Sequence, residues 1–274
     1  MLIAATLLAL SVRPLAAQAV RSPHDSTQSP RAPFFSRRDA VIAGGFAATT
    51  VALFPLDRRI AEQMQQPTWQ EHRLVHHLAK DAELLAIPGV YLLGGGAYVA
   101  GRFSHDPWLA TTAVRVGESV AAGSLLAGVV KVLTGRARPY VVADTNAFDF
   151  AFGRGIGHSK VYSSFPSIHT VTAFAAASSV TMEVAHRWPR AAWYVGPVLY
   201  GEAGMLGVMR MYHDEHWASD VVCGAAIGTF TGIAVSRWNA RHRDNWLDRL
   251  LLETTVVPTA HHGVEVRWSA MLTR

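Results

Sequence analysis

Three short stretches of this 274-residue chain combine residue types suited to holding an anion and moving a proton. In the first, Lys131 is followed after six residues by Arg138 and Pro139. Basic residues just after an apolar helix commonly cap its carbonyls, so this stretch carries little by itself. The second is Pro166-Ser167-Ile168-His169. Here Ser167 can cap the helix that follows, and the free N–H groups of a helix start can receive an anion. The third runs from Arg210 to His216 and Asp220. Their four-residue spacing predicts that His216 and Asp220 share one face of the last helix, where the carboxylate accepts from one imidazole nitrogen and aims the other outward. Alone, such a pair is more simply a surface contact worth a few tenths of a kcal/mol. Between Arg210 and His216, the residues His213, Asp214 and Glu215 read as a solvated turn, because no matching metal ligands stand elsewhere in the chain.

Six apolar segments must position these clusters: 40–56, 84–101, 108–130, 167–184, 191–209 and 217–235. They are rich in Ala, Gly, Val and Leu, lack strict alternation and approach the roughly 20 residues that span a bilayer. The expected fold is therefore an all-α bundle of about six core helices, embedded in a membrane. Half the residues are apolar and 16% are charged, which supports that reading over an ordinary soluble domain. A soluble bundle stays open as an alternative, since Arg115, Glu118 and Glu202 interrupt two segments; if buried, the two glutamates should hydrogen-bond between helices. Gly94, Gly95, Gly96, Gly224 and Gly228 are expected to let helices approach closely. The β-prone runs 254–257 and 264–268, around Pro258 and Gly263, predict a short C-terminal hairpin.

Residues 1–19 read as a signal peptide or anchor, with Ala17-Gln18-Ala19 as a small-x-small cleavage pattern, and 20–38 as a polar linker. The helical domain is placed at 39–236 and a tail at 237–274. Arg37, Arg38, Arg102, Arg187, Arg190, Arg237, Arg241 and Arg243 fall at the end opposite the three clusters, which predicts that end to be cytoplasmic. Cleavage of the first stretch would invert this topology unless that stretch is an extra anchor, segment 40–56 does not span, or the bundle is soluble; the expected location is the cell envelope, integral to the cytoplasmic membrane with the site facing the periplasm, with a soluble periplasmic protein as the alternative. The net charge of +5 is dispersed, which suits a small anionic partner and excludes a nucleic-acid tract. A single cysteine, Cys223, excludes an intramolecular disulfide and reads as a small core residue.

Taken in order, the clusters resemble the motifs of the type 2 phosphatidic acid phosphatase superfamily, which also holds bacterial acid phosphatases and vanadium haloperoxidases. The family pattern Lys-x6-Arg-Pro, Pro-Ser-Gly-His, Ser-Arg-x5-His-x3-Asp meets Lys131…Arg138-Pro139, Pro166-Ser167-Ile168-His169 and Met209-Arg210…His216…Asp220. The resemblance spans about residues 39–236. It implies that Lys131, Arg138, Ser167 and Arg210 bind a phosphate, that His216 is the nucleophile with Asp220 behind it, and that His169 protonates the leaving oxygen. It implies hydrolysis of a lipid phosphate, or of another organic phosphomonoester or diphosphate, with no metal and no cofactor. Two positions depart from the pattern: Met209 stands for serine and Ile168 for glycine. Ile168 is tolerable if only an N–H is needed there, and obstructive if open space or a positive φ is needed. A vanadate-dependent haloperoxidase and a non-catalytic phosphate- or lipid-binding envelope protein remain the alternatives.

Overall fold

The computed structural model describes residues 33–73, 76–77, 79, 87–143, 145–158, 160–242, 245–258 and 264–268. The signal-peptide reading lies outside them, as does most of the linker. Six long helices match the six expected segments: α1 (Arg37–Leu53), α4 (Ile87–Phe103), α5 (Pro107–Thr134), α6 (Ile168–Arg187), α7 (Pro189–Tyr212) and α8 (Ala218–Arg241). Shorter helices α2 (Asp57–Met64) and α3 (Pro67–Gln70) follow α1, and α9 (Trp246–Asp248) follows α8. The hairpin is present as β1 (Thr254–Pro258) and β2 (Val264–Trp268), antiparallel with Val256 opposite Val266.

Local chemistry fixes several helix ends. A capping box starts α1, with Ser36 N–H donating to Asp39 Oδ2 at 2.6 Å and Asp39 N–H donating to Ser36 Oγ at 3.2 Å. Asp106 caps α5 by accepting from the N–H groups of Trp108 and Leu109, and Pro107 occupies the first helical position. Gly135 ends α5 at φ 51°, where a Cβ would lie 2.2 Å from the Ala151 carbonyl oxygen. Only glycine fits that left-handed turn, which swings Arg136 and Arg138 off the helix axis.

Helix α6 is the buried centre, packed by α5, α7 and α8. Its contact with α8 is close because Gly224, Gly228 and Gly232 face it. A Cβ at these positions would stand 2.7 Å from Ser167 O, 2.4 Å from Val171 O and 2.6 Å from Ser178 Cβ. This seats the start of α6 directly against the start of α8. Gly94, Gly95 and Gly96 do not do the same on α4: each faces open space, with nothing within 4 Å of a Cβ.

Three stretches are long and apolar enough to cross a membrane: Arg37–Met64, Pro107–Val141 and Ala218–Arg241. The outer surface agrees, because Leu92 is 75%, Leu125 73% and Trp193 81% exposed. A soluble bundle would leave these large apolar side chains in water. In a bilayer they meet acyl chains, and the bundle is a membrane fold.

Candidate active site

The ends of α5 and α7, the starts of α6 and α8, and the loop 135–167 converge at one end of the bundle. Lys131, on the last turn of α5, is buried and donates to the carbonyls of Ser163 and Ser164, the latter at 3.4 Å. Arg138 is anchored by its own N–H, which donates to Val161 O at 3.2 Å. The charges of Lys131, Arg138 and Arg210 act on one another and together on His169. All three predicted phosphate-binding cations thus surround one predicted catalytic histidine.

His216 does not sit on the last helix as the spacing predicts. It precedes α8 in the turn from α7, while Asp220 occupies the first turn of α8. The pairing survives this difference: His216 Nδ1 lies 3.5 Å from Asp220 Oδ2. That same oxygen accepts from Ser164 Oγ at 2.5 Å and from Trp217 N–H at 2.9 Å. The carboxylate is therefore fixed by three groups besides the histidine, counting the arginine described below. His216 is 2% exposed, and among the described residues neither ring nitrogen makes a hydrogen bond, Nδ1 standing at ion-pair distance from Asp220. Burial pulls its pKa down to about 3 against the opposing pull of Asp220, so the ring is neutral at physiological pH.

Ser167 holds the N-cap position of α6 without capping it. Its hydroxyl accepts instead from Thr170 Oγ1 at 3.0 Å, and its N–H donates to Asp220 O at 3.0 Å. Its N–H thus ties the serine to the first turn of α8, while its hydroxyl and carbonyl bond Thr170 and Val171 of its own helix. Ile168 opens α6 in helical backbone and is not among the residues with positive φ, so the departure from glycine costs no backbone strain. Tyr162 and Phe165 pack: Arg154 lies 4.0 Å over the Tyr162 ring, and Phe165 meets Phe54 at 5.9 Å between centroids.

The least legible part of the site is Arg136, inside the six-residue spacer of the first motif. It is fully buried and bridges two carboxylates, Asp57 at 2.7 Å through Nη2 and Asp220 at 2.5 Å through Nη1. It also donates to Ser219 Oγ at 2.7 Å and to Ala147 O at 2.6 Å and 3.1 Å. The rings of Phe54, Phe150 and Trp217 surround its guanidinium at 4.9–5.4 Å. Asp57 completes the cluster by accepting from Ser219 N–H at 2.9 Å and from its hydroxyl at 2.5 Å. The start of α2 is thereby locked to the start of α8. Glu215 likewise departs from the solvated-turn expectation: its carboxylate pairs with Arg138 and lies 3.5 Å from Arg210.

Among the described residues, no group of three or more His, Cys, Asp or Glu side chains is arranged to hold a metal ion. An apolar groove of about 420 Å³ between α4 and α5, lined by Tyr91, Tyr98, Gly117 and Leu251 among others, shares no residue with the constellation. Chemically, the constellation offers three cations for an oxyanion, a neutral buried imidazole backed by a carboxylate, and a second histidine beside the cations.

Comparison with known proteins agrees with this geometry. The family model of the PAP2 superfamily matches residues 112–244, a stretch that holds all three motifs and helices α6, α7 and α8. Over that stretch, just under half of its length, the chain is similar to the PAP2 superfamily. Lipid A 1-phosphatase from Porphyromonas gingivalis is 41% identical over 87 residues, covering 32% of this chain. The matched part is 19% of that relative's length. A solved structure, a transmembrane PAP2-type phosphatidylglycerolphosphate phosphatase from Bacillus subtilis, superposes with a TM-score of 0.51 at 19% identity, over 74% of this chain and 95% of that one. That likeness is one of fold.

Proposed function

We propose that this chain is a membrane phosphatase that hydrolyses a lipid phosphate, or another terminal organic phosphate, through a phosphohistidine on His216. The observation that carries the reading is the buried His216, whose Nδ1 stands 3.5 Å from a carboxylate held from several sides while its Nε2 has no partner among the described residues. A neutral imidazole oriented in this way is a nucleophile ready for attack without prior loss of a proton.

Lys131, Arg138 and Arg210 would bind the nonbridging oxygens and balance the phosphate charge, the part that a metal ion plays in other phosphatases. Ser167 would add its hydroxyl. In the first step, the Nε2–P bond forms as the P–O ester bond breaks, and His169 gives a proton to the leaving oxygen. The phosphate itself favours that protonated state, since its negative oxygens offset the three cations acting on His169. In the second step His169 takes a proton from water, the hydroxide oxygen bonds to phosphorus and the N–P bond breaks. Asp220 stabilises the cationic ring of His216 between the two steps.

The relative that acts on lipid A and the exposed apolar flanks of the bundle support a lipid substrate. Arginines 37, 38, 102, 187, 190, 237 and 241 at the far end support a periplasm-facing site by the positive-inside rule. The test is phosphate release by the detergent-purified protein from phosphatidate, a prenyl diphosphate, a lipid A 1-phosphate and a soluble phosphomonoester, each with and without EDTA. Release from at least one lipid phosphate, unchanged by chelation, is expected. No release from any of the four would overturn the reading, and loss with EDTA restored by one divalent ion would overturn its metal-independent form.

A further inference from the structure

Glu215 stands immediately before the proposed nucleophile, and one oxygen of its carboxylate faces a terminal nitrogen of each of the two guanidinium groups assigned above to phosphate. A single oxygen, Oε2, pairs with Arg138 Nη1 and lies 3.5 Å from Arg210 Nη2. The backbone aims it there. Asp214 adopts φ 59°, a left-handed conformation that aspartate tolerates better than most residues, and the turn lets Glu215 N–H donate to Arg210 O at 3.1 Å. From the other flank, Tyr140 N–H, two residues after Arg138, donates to Asp214 O at 3.4 Å. Arg138 and Arg210 are thus both stitched to the turn that carries the glutamate.

The Glu215 side chain reaches solvent, at 30% exposed against 16% for Arg138 and 7% for Arg210, while its inner oxygen, Oε2, is buried against the two guanidinium groups. A substrate phosphate would approach these arginines from the solvent side. Carboxylate and phosphate both engage guanidinium by charge-assisted hydrogen bonds, and one set of N–H donors cannot serve both.

Resting on the phosphatase reading, we propose that Glu215 is a specificity-determining residue: an internal competitor that a substrate must displace from Arg138 and Arg210. A terminal phosphate brings two negative charges and three oxygens, and can recruit Lys131 as well, so it outcompetes one carboxylate. A phosphodiester brings one charge and two free oxygens, no more than Glu215 itself supplies. The device selects monoesters and terminal diphosphates against the diesters that make up most of a phospholipid bilayer. It also weakens retention of the product phosphate.

The experiment compares the full-length protein in detergent with Glu215→Gln, which keeps shape and removes charge, and Glu215→Asp, which keeps charge on a shorter arm. Binding of inorganic phosphate is measured by calorimetry, and its inhibition constant and the KM for phosphatidate by kinetics. Glu215→Gln should bind phosphate at least tenfold more tightly, about 1.4 kcal/mol, with a parallel fall in KM and no rise in kcat. Dimethyl phosphate, a diester, should become a measurable competitive inhibitor of that variant. Glu215→Asp should fall between the two. A glutamate that merely supported the turn would give weaker binding when replaced, so unchanged or weakened phosphate binding in a folded Glu215→Gln overturns the proposal. Glu215→Asp binding as tightly as Glu215→Gln would overturn it too, since charge would then be irrelevant. The two readings fail separately: tightening without turnover in any variant sinks the phosphatase reading alone, and turnover without tightening sinks the competitor alone.

Discussion

Helices α5 and α8 carry a buried polar cluster at each end, and the two clusters are built on opposite electrostatic plans. At the far end, polar groups are satisfied locally: Arg115 pairs with Glu183 at 2.6 Å, and the carboxylates of Glu118 and Asp248 are joined by amides, Asn239 donating to Glu118 and Asn245 donating to Asn239 at 2.9 Å and to Asp248 at 2.8 Å. At the site end, three cations whose charges repel one another are held together by loop carbonyls, by a glutamate and by the Asp57–Arg136–Asp220 bridge. Local pairing is what a membrane bundle requires merely to bury polar groups. Gathering like charges has an energetic cost that the carbonyls and carboxylates offset in part and that an anionic ligand would lower further, which fits the proposed site at this end.

The largest effect expected from breaking this contrast is at His216. His216→Ala should lower turnover by at least about a thousandfold, because in the proposed mechanism the side chain supplies the bond to phosphorus; it is also buried, so folding is checked on the same preparation. Retention of near-normal turnover by a folded His216→Ala protein would remove the nucleophile assignment. Asp57 comes next. It touches no substrate group and acts through Arg136 on Asp220, which makes it a positioning residue. Asp57→Asn should lower kcat by about tenfold to a hundredfold with KM within about threefold, since the phosphate-binding cations stay where they are. A purely structural role would appear as a lower melting temperature with kcat intact, so both are measured on the same preparation.

Much of this contrast is readable in the sequence, and the part that is not has definite physical causes. The six helices follow from the six apolar segments, of which three lie in stretches long and apolar enough to cross a bilayer among the described residues, and the three motifs keep their order and spacing. Arg136 hides because two arginines flanking one alanine at a helix end look alike; only the fold sends one to Glu215 beside the other cations and the other into an aromatic box with Asp57. Asp57 itself lies in a short amphipathic helix far from every motif, and no spacing rule joins it to Asp220. Glu215 reads as a solvated turn residue because the left-handed backbone at Asp214, which turns it back onto Arg210, has no marker such as glycine. Gly94, Gly95 and Gly96 mislead for the opposite reason, since a small residue signals close packing only when a neighbour lies on that face.

A smaller effect distinguishes the two ends by pH. His216 has a pKa of about 3 in the folded protein, below the ordinary histidine value of 6.5. The unfolded chain therefore binds the proton that the folded chain refuses, and this group's penalty grows as pH falls from 6.5 towards about 3. Its slope can reach about 1.4 kcal/mol per pH unit in that window and is absent above it. Against a folded His216→Gln variant, the wild type should lose melting temperature faster on acidification below pH 6.5 and run parallel to it above pH 7. Parallel curves throughout would mean that His216 ionises in the folded state like an exposed histidine, and would undercut its reading as a neutral nucleophile.

The smallest effect on turnover is expected at the far end, at Glu118. Along α5 it is thirteen residues from Lys131, roughly 20 Å at 1.5 Å per residue. Its carboxylate accepts from Asn239, a fully buried side chain on α8. Glu118→Ala removes that acceptor and leaves an amide donor unsatisfied in the bundle, at a cost of about 1–3 kcal/mol. Glu118→Gln keeps an acceptor oxygen in nearly the same place and should recover most of the loss. The expected pattern is a lowered melting temperature for Glu118→Ala, partial restoration in Glu118→Gln, and kcat within about twofold of wild type for both, well below the transition. If folded Glu118→Ala instead loses tenfold or more in kcat, the two ends are coupled through α5 and α8, and the division between a structural end and a chemical end fails.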